Sequence, residues 1–177
     1  MVMTSNEVWT IVHGMIFGAI FLLGFSAALY AVYSMKVEWM TAEGMAKAVN
    51  NIKVFLWGLA ISVWGAVITG AYVVYPWYRA AAPKGTTDLS NFPKFLLLAN
   101  PSTAAWHNFG MEWKEHVAFL APMAATVVAF VVSYYGPALA KKAEERRAVM
   151  LFFIFAFATA AAAGLFGAFI TKAAPLH

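Results

Sequence analysis

Four apolar runs, each long enough to cross a bilayer, leave this chain few ways to fold. A hydrocarbon core of about 30 Å needs about 20 helical residues. The runs cover roughly residues 8–33, 54–77, 113–135 and 149–171. Lipid cannot hydrogen-bond a backbone, so spanning runs of this length must be helical. The expected fold is therefore all-α: a single membrane domain over residues 1–177, built as a four-helix transmembrane bundle. Composition agrees. The 177 residues are 63% hydrophobic and 11% charged, against about 45–50% and about 25% in soluble domains.

Punctuation marks the ends of the runs. Pro76 and a Tyr75/Trp77/Tyr78 belt close the second, and Gly136-Pro137 closes the third. Pro122 lies inside the third and is expected to disturb that helix. The segment before the first run has no Lys or Arg and carries Glu7. A secretory signal needs a positive start, so the first run reads as a retained span. Between spans two and three lies a long loop, residues 79–112. Its stretch from Phe92 to Ala99 is apolar but too short to span, and reads as an interfacial or partner-facing patch. Asn100-Pro101-Ser102 then looks like a helix start running into the third span.

Lys and Arg counts set the orientation of short loops. One face carries Lys36, Lys47, Lys53, Lys141, Lys142, Arg146 and Arg147. The other carries Arg79, Lys84, Lys94, Lys114 and Lys172. Seven against five places both termini on the outer side. A net charge of +4 then reflects topology and lipid contact, with no nucleic-acid partner implied. The expected location is the inner membrane of a bacterium.

The candidate chemistry lies at one end. His13 follows Trp9 by four residues and His116 follows Trp113 by three. Trp favours the membrane interface, so the two imidazoles are expected at similar depth on parallel helices. Such a pair could hold a metal or a haem iron from both sides. Glu112 precedes His116 by four residues and shares its helix face, where it could fix the imidazole tautomer. Gly14, beside His13, is a candidate for cofactor clearance. Arg79 and Lys114, at span ends, could pair with haem propionates or lipid phosphates, with snorkelling as the ordinary alternative. Nine residues separate His107 from His116. On a straight helix that is about 180° around and about 13 Å along, which leaves His107 for a second cofactor, a quinol headgroup or a partner. His177 reads as disordered. Gly14/Gly18 and Ala160/Gly164/Ala168 read as stripes for close helix approach.

The chain has no cysteine. This excludes thiolate metal sites, iron–sulfur clusters and covalent haem attachment through Cys-x-x-Cys-His. No phosphate-binding loop, nucleophile elbow or zinc-protease signature occurs.

Four spans, histidines near the ends of spans one and three, and Glu112-x-x-x-His116 together resemble one half of haem A synthase and, more loosely, small four-helix membrane cytochromes b. The resemblance implies haem b held through His13 and His116, with Glu112 beside them. Spans two and four lack histidine, so it implies one haem at most and no synthase activity. The resulting expectation is a membrane electron-transfer subunit of a larger respiratory or photosynthetic complex. It would meet the lipid bilayer and other membrane subunits, and pass electrons between a quinol and a periplasmic carrier. The alternative is a cofactor-free structural subunit of such a complex. Transport is disfavoured by the scarcity of polar residues midway along the spans.

Overall fold

The computed structural model describes residues 3–39 and 41–175. Among them there are helices and loops and no strand. Four helices are long and apolar enough to cross a membrane: α1 (Ser5–Tyr33), α2 (Ala42–Tyr78), α4 (Pro101–Lys141) and α5 (Ala143–Ala173). A short helix, α3 (Pro93–Ala99), sits in the connection before α4. The helices run up and down in turn, so α1 and α4 are parallel to each other and antiparallel to α2 and α5. Both described termini therefore lie at one end, called here the histidine end. The other is the basic end.

Local sequence explains where the helices begin. Thr4 accepts from the Glu7 backbone N–H while Glu7 reaches back to Thr4, a reciprocal cap for α1. Thr41 caps α2 through the Gly44 N–H. Asn100 accepts from the Ser102 N–H, with Pro101 in the first turn of α4. Between α4 and α5 the Arg146 guanidinium closes the turn, donating to the Leu139 and Ala140 carbonyls at 3.2 and 3.0 Å.

The helices overrun the apolar runs. α4 has 41 residues and α2 has 37, about 60 and about 55 Å at 1.5 Å per residue. The connection expected as a long loop is largely helical, since α4 begins at Pro101. Regular geometry breaks where the proline predicts it. Val117–Phe119 form turns, next to the Ala118 carbonyl, which Pro122 cannot bond.

The main core occupies the basic half. Phe21 and Phe153 meet edge to face at 6.2 Å, and Phe25 stacks on Phe157 at 4.1 Å. Val49, Leu56, Leu59, Val128, Val132 and Leu139 fill the space around them, each at most 2% exposed. Ser62 donates to the Phe17 carbonyl. Trp57 and Trp64 donate to Ser133 and Thr126 across α2 and α4. The close backbone approaches fall at glycines outside the expected stripes. A methyl group at Gly24 would lie 2.6 Å from Leu59, and one at Gly65 would lie 2.7 Å from Phe17. At Gly14 it would meet nothing within 4 Å, and at Gly164 it would make only an ordinary contact with Leu22.

The segment from Phe92 to Ala99 is only partly an exposed patch. Leu97 is fully buried in a second, small cluster with Tyr78, Met111, Ile170 and Ala174. Thr103 pins α3 to the start of α4 by donating to the Leu97 carbonyl at 2.8 Å. Leu98 is exposed at 40%. The segment thus folds against the histidine end of its own chain.

Candidate functional site at the histidine end

All three π-helical segments of the described residues lie at this end: Val12–Gly18 in α1, Gly70–Val74 in α2 and Trp106–Met111 in α4. A π turn widens the helix and often accompanies a functional site. Here it also coincides with loose packing. No residue of α1 from Ser5 to Gly18 is buried. In α5, none from Ala160 to Phe169 is buried.

His13 sits in the first π segment and reaches across to α2. Its Nδ1 lies 2.6 Å from the Ala66 carbonyl oxygen. A carbonyl can only accept, so Nδ1 carries the proton and Nε2 keeps its lone pair. The ring lies against Gly70, where a methyl group would come within 2.6 Å of Cε1. Gly70 is thus the glycine that makes room for the imidazole, while Gly14 faces open space. The Lys114 side chain enters from α4. Its Nζ would be 3.0 Å from a methyl group at Gly167 of α5, and its ammonium lies within electrostatic reach of His13. Among the described residues Lys114 has no hydrogen bond or ion pair. The neighbouring Trp113 indole N–H is buried and also has no partner. Its ring rests against Phe166 and Phe109 at 6.0 and 6.3 Å.

The structure does not bring His116 to His13. His116 is two positions after Lys114, about 200° around the helix. Lys114 points into the bundle and His116 points away, its side chain 71% exposed. Depth differs as well. Glu115 faces Tyr75 of α2, whereas His13 sits against Ala66 and Gly70. Tyr75 lies five to nine residues further along, about 8–13 Å. Glu112 does face His116, but at 4.0 Å and 57% exposed, too far for a hydrogen bond. A bis-histidine iron between His13 and His116 does not fit this arrangement. Among the described residues no three His, Cys, Asp or Glu side chains gather as a metal-ligand set.

His107 belongs to a separate polar group nearer the end of the bundle. The helix around it is π rather than straight, and its Nδ1 lies 2.8 Å from the Tyr78 hydroxyl. Tyr78 stacks on Tyr75, and the Arg79 guanidinium lies over the Tyr75 ring at 5.2 Å. Arg79, the residue after α2, thus makes a cation–π contact with the last turn of that helix. Trp106 stacks on Phe169 of α5 at 4.7 Å. His177 lies outside the described residues.

Two groups therefore meet in the loosely packed half, the His13 imidazole with its open Nε2 and the Lys114 ammonium, and a buried, unpartnered donor, Trp113 Nε1, lies next to Lys114 in the chain. Sequence reasoning gave Lys114 two readings, an anion partner or a snorkelling residue, and used Trp113 only as an interface marker. The available signal was a lysine set directly between Trp113 and Glu115-His116 at the mouth of an apolar run. Donors without acceptors in a low-dielectric region are costly, and an oxygen-bearing ligand would relieve that cost. The chain matches no protein family, characterised protein or solved structure.

Proposed function

We propose that this chain is a membrane subunit of a redox complex that binds a quinone headgroup at its histidine end. The observation that carries the reading is the partnerless Lys114 ammonium beside an imidazole whose tautomer Ala66 fixes, with the unpartnered Trp113 indole N–H adjacent to it in the chain. A quinone offers two carbonyl oxygens on a flat apolar ring, with a tail that stays in lipid. The donors suit its oxygens. In the quinol form, a ring hydroxyl suits the Nε2 lone pair of His13, which can accept its proton. The Tyr78–His107 pair lies between this region and the end of the bundle. In this reading the chain works beside other subunits that carry electrons to or from the quinone.

The test is quinone content. Protein purified from its native membrane should carry extractable quinone near one per chain. Lys114→Leu and His13→Ala should each lower it by roughly tenfold, the equivalent of about 1.4 kcal/mol. Wild-type protein without quinone overturns the reading.

A haem b reading keeps one supporting observation. Nδ1 bonded to a carbonyl, with Nε2 left open, is how ligating histidines are commonly oriented. The second axial ligand would then come from outside this chain, since His116 faces away. A reduced-minus-oxidised visible spectrum tests it, and loss of the haem bands in His13→Ala would support it.

The basic-residue bias supports both termini on the outer side of a bacterial inner membrane. The absence of cysteine makes this simple to test. Cysteine introduced at Thr87 should react with an impermeant thiol reagent in intact cells, while one at Ala143 should not. The reverse labelling inverts the topology.

A further inference from the structure

A groove of about 490 Å³ runs between α1 and α5 in the basic half, remote from the histidine end. Its volume is in the range of small-molecule sites, about 300–1,000 Å³. Leu29, Met150, Leu151 and Ile154 give it an apolar lining, and Ser26, Tyr30, Tyr33 and Arg147 are its polar members. Arg147 is the last charged residue before the apolar part of α5, so its guanidinium stands where headgroups meet hydrocarbon. Ile154 is seven residues on, about 10 Å deeper along the helix. The two adjacent arginines differ. Arg146 is committed to the Leu139 and Ala140 carbonyls. Arg147 is exposed and makes no hydrogen bond or ion pair among the described residues. A second cation lies nearby: the Lys36 ammonium sits 3.9 Å from the centre of the Tyr33 ring and 4.2 Å from that of Trp39.

We infer that this groove is a binding site for one anionic glycerophospholipid. The phosphate pairs with the Arg147 guanidinium, whose planar fork matches two phosphate oxygens. One acyl chain lies along Leu29, Met150, Leu151 and Ile154. The Tyr30 and Tyr33 hydroxyls stand at headgroup level, where amphipathic rings are favoured. The occupant is anionic because a zwitterionic headgroup would bring its own cation beside Arg147, with a further cation, Lys36, on the face of Tyr33. A neutral quinone would leave Arg147 without a counter-charge. The site is independent of the quinone reading, so either can fail alone.

The experiment is native mass spectrometry of the full chain, delipidated in detergent and titrated with phosphatidylglycerol or phosphatidylcholine. Wild type should hold one phosphatidylglycerol and prefer it over phosphatidylcholine by roughly tenfold. Arg147→Ala should abolish that preference, and Arg147→Lys should keep part of it, because the charge remains without the fork. Ile154→Trp should displace the lipid by filling the groove while leaving the charge in place. Lys172→Ala, at the opposite end, should change nothing. Equal retention of the two lipids by wild type, an Arg147→Ala preference equal to wild type, or a second copy of the chain in place of lipid would each overturn the assignment.

Discussion

The two halves of this bundle use one composition in opposite ways. In the basic half, bulky side chains interlock and helix geometry is regular through most of the span. Phe21, Phe153 and Leu139 are at most 1% exposed, and Gly24 makes room for Leu59. In the histidine half, every π segment occurs, α1 buries nothing before Phe21, and the polar groups are concentrated. Lipid is as apolar as leucine, so helices in a membrane associate through packing rather than through a drive to leave solvent. The filled half therefore holds the fold together. The open half is free to be shaped for something other than itself.

Substitutions in each half should show the difference. The largest effect is expected from Phe153→Ala, which empties the centre of the filled half. Its cost should be on the order of 3–5 kcal/mol, seen as a large drop in melting temperature in detergent. An unchanged melting temperature would mean that the core is not where stability resides. Leu97→Ala comes next, at about 2–3 kcal/mol, but locally. Protease should cut residues 79–100 faster while the melting temperature of the bundle barely moves. If the bundle melts early too, the small cluster around Tyr78 is part of the main fold.

Gly70→Ala tests the close approach of His13. The added methyl must displace the ring, at about 1–3 kcal/mol, and hydrogen exchange around Ala66 should rise. Gly14→Ala, on the same π segment as His13, meets nothing and should be neutral or stabilising by at most about 1 kcal/mol. Equal penalties at the two glycines would contradict the asymmetry. Finally, Tyr78→Phe removes the partner of His107 and should cost about 0.5–1.5 kcal/mol, with no change in lipid or quinone content.

The parts legible in the sequence are those that a bilayer dictates. Run length gave four helices, and Asn100-Pro101 gave the start of α4. Pro122 marked the disturbance at Val117–Phe119. Helix ends were less legible, because hydrophobicity stops at the membrane surface while backbone hydrogen bonding continues. α2 accordingly starts at Ala42, twelve residues before its apolar run. The histidines were read at equal depth because each follows a tryptophan by about one turn. That spacing fixes where a residue lies on its own helix and leaves the relative shift of two helices open. The shift is set by Phe17 against Gly65 and His13 against Gly70, contacts between residues more than 45 positions apart. The π segments had no sequence signature, since Val12–Gly18 reads like any apolar helix. Lys114 was visible but looked like an ordinary interfacial lysine; only the neighbouring Gly167 and His13 show that it points inward.

The clustering of π turns also bears on how such a chain can change over generations. Each such turn is a helix carrying surplus length, and losing one residue from it would restore ordinary pitch. In α4 the shortened turn would leave the segments before Trp106 and after Met111 close to their present phase. A matching edit in α1 would do the same for Ser5–Ile11. Single-codon deletions at these three places could therefore be absorbed locally, tightening the chemical end of the molecule without disturbing its packed end. The same edit within Phe21–Val32 or Val49–Val63 would throw the interlocked side chains out of phase.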